Sequence, residues 1–231
     1  MKGEILGWLA TVEAEHARRR QDPALEARVL ALKRYQQRRL EWTYRDLLAS
    51  TRYAEAARFF LVDLYGPVDF RQRDREFARI VPKIEALFPQ QTVATVWQLA
   101  RLHALSEELD SAMANALDTL PIDPGVYASA WRRVGRENDR KRQLELVIQI
   151  GAALERMTRH AWLVNTLKWM RGPARAAGLS ELQAFLERGL GSFRSMRGAT
   201  EFLKVIEARE SELMNGLFQA APSALDELPA A

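Results

Sequence analysis

Three polar side chains, His103, Glu107 and Asp110, recur at helical spacing in the segment 91–118. Separations of four and three residues place them on one row of a helix, here called the polar row. An imidazole and two carboxylates on successive turns could converge to hold a metal ion or to transfer a proton. The alternative is structural, with Glu107 and Asp110 at the rim of the core, paired with Arg residues of a neighbouring helix.

The three His residues of the chain suggest further metal or haem sites. Glu13-Ala-Glu-His16 matches one Glu-x-x-His motif of a di-iron carboxylate bundle, but His103 and His160 are not preceded by Glu at that spacing. His160 lies among apolar and aromatic residues, where it could be an axial haem ligand or a His at a helix surface beside packed aromatics. Common hydrolase, nucleotide-binding and zincin motifs are absent. A metal- or haem-dependent enzyme using the polar row is therefore an alternative hypothesis, and no cofactor is predicted.

Clusters of basic residues are the features that would suggest a nucleic-acid partner. The least compensated are Arg18–Arg20 and Arg132–Arg142, whereas most other Arg residues have an acidic neighbour at helical spacing. The chain has 34 Lys and Arg against 30 Asp and Glu, a formal net charge of only +4. Solvated helix faces are therefore favoured, and weak nucleic-acid binding through Arg132–Arg142 is kept as an alternative.

The segment 52–70 is the part of the chain richest in aromatic residues. A helix that is apolar on more than one side is buried on more than one side, so we expect these aromatics to lie in the core. Two charged residues interrupt them and are expected to serve a buried or interfacial ion pair, with ligand contact as the alternative. The residues concerned are Arg58, Phe59, Phe60, Asp63 and Tyr65.

The run FFLVDLYGP over 59–67 resembles the motif of the uncharacterised bacterial proteins that are named for FFLEELY. This chain has Val62 where the motif has Glu, and Asp63 as a conservative replacement. Similarity in the segments 196–198 and 206–210 extends the resemblance over most of the chain. It implies a bacterial, all-helical protein of unassigned activity, and it transfers no catalytic residue.

The elements that must position these residues are helices. Apolar residues recur every three or four positions along the chain, and sustained alternation of period two is absent. The sequence predicts an all-α bundle of seven to nine amphipathic helices with no β-sheet. We expect one domain over 1–218, with a possible subdivision near 121–125, and a mobile C-terminal tail over 219–231.

Helix boundaries follow from capping and breaking residues. Asp22-Pro23 predicts a capped helix start, and the Gly-Pro pairs at 66–67 and 172–173 predict helix ends. Pro82 should kink or split its helix, and the Ser180–Gln183 capping box should begin another. The predicted helices are 3–20, 23–49, 51–65, 70–88, 91–118, 125–134, 137–170, 180–196 and 200–218.

Composition restricts the function classes that remain. With 48% hydrophobic residues and no Cys, the chain can form a large core, and it offers no disulfide, thiolate metal site or cysteine nucleophile. No segment has the length and apolarity of a membrane helix, so we expect a soluble, cytoplasmic protein. The leading hypothesis is a non-enzymatic bundle that binds a partner, a second copy of itself or a small apolar ligand between its helices.

Overall fold

The computed structural model describes residues 1–64, 66, 70–159, 161–221 and 229, and gives the backbone alone at 84, 85, 87 and 161–164. Within these residues the chain has no strand and twelve α-helices, nine of them with seven residues or more, which confirms the predicted all-α class. They are α1 (Lys2–Gln21), α2 (Pro23–Thr43), α3 (Arg45–Ala49), α4 (Ala54–Phe59), α5 (Arg71–Leu87), α6 (Gln90–Ala116), α7 (Pro124–Val134), α8 (Glu137–Thr158), α9 (Ala161–Trp169), α10 (Arg171–Ala176), α11 (Ser180–Ser195) and α12 (Thr200–Phe218), with a π-helical turn, Phe60–Leu64, after α4.

Two helices begin at an Asp-Pro pair. The Asp22 carboxylate accepts hydrogen bonds from the backbone N–H groups of Ala24 and Leu25 at 3.1 and 3.0 Å, which confirms the predicted cap of α2. Asp123 caps α7 in the same way, accepting from the N–H of Val126 at 2.8 Å. Both starts follow from local sequence because the cap and the helix it serves lie within four residues.

Several predicted boundaries are wrong. The predicted helix 23–49 is divided at Tyr44, whose backbone angles (φ −109°, ψ 20°) depart from the helix. The predicted helix 137–170 is α8 and α9, and Gly172-Pro173 lies inside α10. Pro82 lies inside α5, which continues through it and is not split.

The predicted capping box at Ser180 is also wrong. Helix α11 starts at Ser180 itself, and Gln183 donates to the carbonyl of Leu167 at 2.5 Å instead of capping its own helix. The N–H of Leu182 donates to the carboxylate of Glu76, which is 3% exposed and comes from α5. A carboxylate from a distant helix thus accepts a hydrogen bond from a free N–H group at the N-terminus of α11. Local sequence cannot predict this contact.

The long helix α6 lies at the centre and packs against α1, α2, α7 and α8. Core contacts cross the segment 121–125: Leu32 and Met113 pack in one buried cluster with Tyr127 and Leu217. A second cluster joins Tyr44 and Phe202 with residues of α4 and α11. None of the described helices is long and apolar enough to span a membrane.

Candidate functional site

The polar row lies on α6, but its three side chains have no neighbour common to all of them, although Lys33 of α2 lies near both Glu107 and Asp110. His103 contacts α5, where its Nε2 lies 2.9 Å from Oδ2 of Asp74. Glu107 is directed towards α1 and α2, and Asp110 lies against α2 and lines a cavity. The row therefore does not converge on one shared centre.

Glu107 is the centre of a buried ion network. It is 4% exposed and pairs with Arg19, itself 3% exposed, and with Nζ of Lys33 at 2.6 Å. Arg19 also donates to the backbone carbonyl of Glu107 at 2.6 Å and to Ser111, and Nε2 of His16 lies 3.7 Å from the Glu107 carboxylate. Burial acts to raise the pKa of the Glu107 carboxyl, but Lys33 and His16 hold that pKa well below its usual range. Pairing with an Arg of a neighbouring helix is what the structural alternative predicts, but Glu107 is buried and does not lie at the rim of the core.

His103 and Asp74 form a second polar contact, with side chains that are 16% and 12% exposed. Arg73 lies 3.5 Å from the same carboxylate. Burial raises the pKa of Asp74, but the hydrogen bond and charge of His103 outweigh it and lower that pKa. The Asp74 carboxylate orients the imidazole of His103 and fixes its tautomer. A pair of this kind is compatible with a structural role and with proton transfer.

A cavity of about 130 Å³ lies between α2, α6, α7, α8 and α12, beside the π-helical turn. Its apolar walls include Leu47, Leu61, Val147, Ile206, Leu213 and Met214. Its polar wall includes Gln36, Arg39, Asp110, Tyr127, Arg140 and Glu210. An apolar cleft with a few grouped polar side chains is the usual form of a small-molecule site.

Two of the charged wall residues are paired with each other. Nη1 of Arg39 donates to Glu210, and the hydroxyl of Tyr44 donates to the same carboxylate oxygen at 2.7 Å. Burial acts to lower the pKa of Arg39, but the charge of Glu210 raises it above its usual value. The Nε–H of Arg39 is buried and has no hydrogen-bond partner in the described part of the chain.

Arg140 is the wall residue with the least compensation. It is 6% exposed, its Nη1 donates to Gln143 at 3.2 Å, and its guanidinium lies 4.1 Å from the centre of the Trp131 ring. Its Nη2 is buried without a hydrogen-bond partner, and no described carboxylate lies within ion-pair distance of it. Burial accordingly lowers the pKa of Arg140.

Asp110 joins the cavity to the Glu107 network. Its Oδ1 accepts from Gln36 at 3.2 Å, and its Oδ2 lies 3.7 Å from Nζ of Lys33. Burial raises the pKa of the Asp110 carboxyl, and the nearby charge of Glu107 adds to that rise while Lys33 opposes it.

The aromatic segment is largely in the core. Phe59 is 5% exposed, and its ring centre lies 5.5 Å from that of Phe185 and 6.2 Å from that of Phe60. Asp63 does form an ion pair, but with Arg188 of α11 at 2.6 Å. Two further predictions at this segment concern Arg58, which is exposed, and Tyr65, which lies outside the described residues.

The two basic clusters are largely compensated. In Arg132–Arg142, Arg133 forms two hydrogen bonds of 2.7 Å to Asp118, Arg136 pairs with Asp139 and Glu108, and Arg140 is buried. In Arg18–Arg20, each side chain pairs with a Glu. The uncompensated charge that nucleic-acid binding requires is therefore much reduced at both places.

The predicted metal ligands are separated. Glu13 pairs with Arg20, whereas His16 contacts Glu107, so the single Glu-x-x-His motif does not act as a unit. Throughout the described part of the chain, no group of three His, Asp or Glu side chains is arranged to hold a metal ion. His160, the candidate haem ligand, lies outside that part.

The cavity residues Arg39 and Arg140 were not predicted as site residues, although a sequence signal was present. Arg140 precedes Leu144 and Val147 at helical spacing, so it occupies an apolar row of α8. Arg39 follows Leu32 and Tyr35 on a similar row of α2. An Arg on the core-facing row of a helix needs a buried partner, and that requirement indicates an interior site.

Acid is expected to destabilise the fold through the carboxyls of Asp74 and Glu107. Their ordinary pKa values are 3.8 and 4.5, and both are lower in the folded chain, so the unfolded chain takes up protons first as the pH falls. The raised pKa of Asp110 has the opposite effect on the free energy of unfolding, but it is one carboxyl against the two named above. Urea unfolding measured from pH 7 to pH 3 should show a free energy of unfolding that falls below about pH 5. A free energy that stays constant or rises on acidification would contradict these assignments.

No curated protein and no solved structure matches the chain. One family model does match, over residues 15–224. It is a domain of unknown function, DUF8198. The match covers most of the chain, including the buried Glu107 network and every wall of the cavity, and the chain therefore belongs to the DUF8198 family.

Proposed function

We propose that this protein binds one small organic molecule in the cavity between α2, α6, α7, α8 and α12. The observation that carries the proposal is the cavity itself, which is lined by apolar side chains together with several charged ones. Binding sites in helical bundles commonly lie between facing helices, and they combine apolar surface with a few orienting polar groups.

The size of the cavity limits the size of the ligand. An engineered apolar cavity of about 150 Å³ takes up benzene. The cavity here, about 130 Å³, is therefore suited to one ring or to a short aliphatic chain. Filling it restores van der Waals contacts that its apolar walls otherwise lack, which favours an occupant.

Calorimetric titration with six probes tests the proposal. They form three pairs of equal size: benzoate with benzyl alcohol, cyclohexanecarboxylate with cyclohexylmethanol, and hexanoate with hexanol. We expect at least one probe to bind with a stoichiometry of one. Ala57 is 4% exposed and lines the cavity, so Ala57→Leu should weaken that binding by about tenfold or more.

The matched control is Ala27→Leu, which makes the same substitution at an exposed position of α2. It should bind the probe as the unaltered protein does. Circular dichroism of both variants shows whether each remains folded. Failure of all six probes to bind, or equal binding by folded Ala57→Leu, would overturn the proposal.

We also propose a domain organisation and an origin for this protein. Core contacts across 121–125 support a single domain over 1–218, and most of the tail 219–231 lies outside the described residues. The run FFLVDLYGP supports a bacterial origin and a relation to the FFLEELY-motif proteins. A cytoplasmic location stays a prediction. Self-association or a protein partner stays a prediction that gel filtration with light scattering would test.

A further inference from the structure

We propose that the ligand of this cavity is a monocarboxylate, whose carboxylate accepts hydrogen bonds from Nη2 of Arg140 and Nε of Arg39 while its apolar body occupies the other walls. This inference rests on the proposed function and names its ligand class. It starts from two Arg residues that line one cavity, each with a buried N–H group that has no hydrogen-bond partner among the described residues.

Arg140 supplies the stronger argument. A buried guanidinium is costly unless an anion compensates it, and Arg remains charged where other side chains would neutralise. Its polar neighbour Gln143 and the ring of Trp131 bring dipoles and π-electrons but no negative charge. Burial lowers the pKa of Arg140, and the charge of Asp110 only partly opposes that shift.

Arg39 supplies a second donor of the same kind. Its Nη1 is engaged by Glu210, so the guanidinium is held in place while its Nε–H remains unpartnered. Arg39 is 8% exposed, so solvent reaches little of it. A guanidinium fixed at one end with a free donor at the other is preorganised to receive an acceptor.

The two carboxylates of the cavity wall do not fill this role. Glu210 accepts from Arg39 and Tyr44, and Asp110 lies against Gln36 and Lys33. Asp110 shares Lys33 with Glu107, and its charge also acts on Arg140 without an ion-pair contact. In the cavity wall and the adjoining Glu107 network, four cations (Arg19, Lys33, Arg39 and Arg140) therefore face three carboxylates (Glu107, Asp110 and Glu210). One positive charge remains, which a single carboxylate balances and a doubly charged phosphate would exceed.

The apolar walls decide what the carboxylate is attached to. Leu47, Val147, Ile206 and Met214 offer no polar group to a second charge or to a hydroxyl-rich molecule. Together with the volume, they fit a ring or chain of about six to eight carbon atoms. A small aromatic or aliphatic monocarboxylate has both required parts.

The three matched pairs test the class directly, at pH 7 by calorimetry. We expect each bound carboxylate to be at least about tenfold tighter than the alcohol of the same size, because a hydrogen bond to a charged group is the stronger kind. Arg140→Met should abolish this preference, since it removes the cation while keeping an apolar side chain of similar length. Lys141→Met is the matched control, because Lys141 is the adjacent residue, is half exposed and pairs with Glu137.

The outcomes separate the two proposals. Alcohols that bind as tightly as their acids would overturn the ligand class and leave the proposed function standing. No binding by any of the six probes would overturn both. An Arg140→Met variant that keeps the preference would also overturn the class. If Arg140→Met does not fold, Arg140→Gln takes its place. The ratio of carboxylate to alcohol affinity in the unaltered protein tests the ligand class without any variant.

Discussion

Replacing Glu107 by Gln should lower the free energy of unfolding by about 3–5 kcal/mol. The substitution keeps the size of the side chain but removes its charge, which leaves Arg19 and Lys33 without their carboxylate. Arg19 is 3% exposed, so water cannot replace the lost partner. Urea unfolding followed by circular dichroism measures the change.

The neighbouring residue provides the control. Glu108 is 34% exposed and pairs with Arg136 at 3.2 Å, so Glu108→Gln removes the same charge from a solvated ion pair. It should cost less than about 1 kcal/mol. Equal effects of the two substitutions would show that the Glu107 network is not buried as described.

Truncation of Phe59 to Ala should cost about 3–5 kcal/mol of unfolding free energy. Phe59 is 5% exposed and lies against Phe60, Phe185 and Gly189, where a β-carbon at Gly189 would come within 2.9 Å of the Phe59 ring. Removal of the ring leaves a void that these neighbours can only partly close.

Val62 is the control for this experiment because it lies in the same segment but is 48% exposed. Val62→Ala should change the unfolding free energy by less than about 0.5 kcal/mol. A small loss on Phe59→Ala, similar to that of Val62→Ala, would contradict the core position of the aromatic segment. Thermal unfolding of both variants gives an independent comparison.

Sequence patterns predicted what depends on nearby residues. Apolar residues at helical spacing indicated the all-α class, and Asp22-Pro23 marked a helix start because cap and helix are adjacent. Predictions failed where distant residues decide, as at Ser180, where Glu76 of another helix supplies the acceptor. A local signal also failed at Pro82, which was predicted to kink or split its helix. Helix α5 continues through Pro82 and is not split.

The candidate site was predicted only in part, because its contacts also depend on residues that are distant in sequence. Spacing placed His103, Glu107 and Asp110 on one row, but their partners come from three other helices, α5, α1 and α2. Spacing cannot determine which helix faces which residue, so the separation of the three side chains was not predictable. Arg140 was grouped with exposed basic residues, although its row on α8 is apolar.

The affinity of benzoate relative to benzyl alcohol, measured by calorimetry for the unaltered protein and for Arg140→Met, tests the central claim most directly. The claim is that the cavity holds a small monocarboxylate through Nη2 of Arg140, a buried donor without a hydrogen-bond partner among the described residues. We predict that benzoate binds the unaltered protein at least about tenfold more tightly than the alcohol, and that Arg140→Met loses the difference. Equal affinities in the unaltered protein, or a preference that survives in Arg140→Met, would contradict the claim.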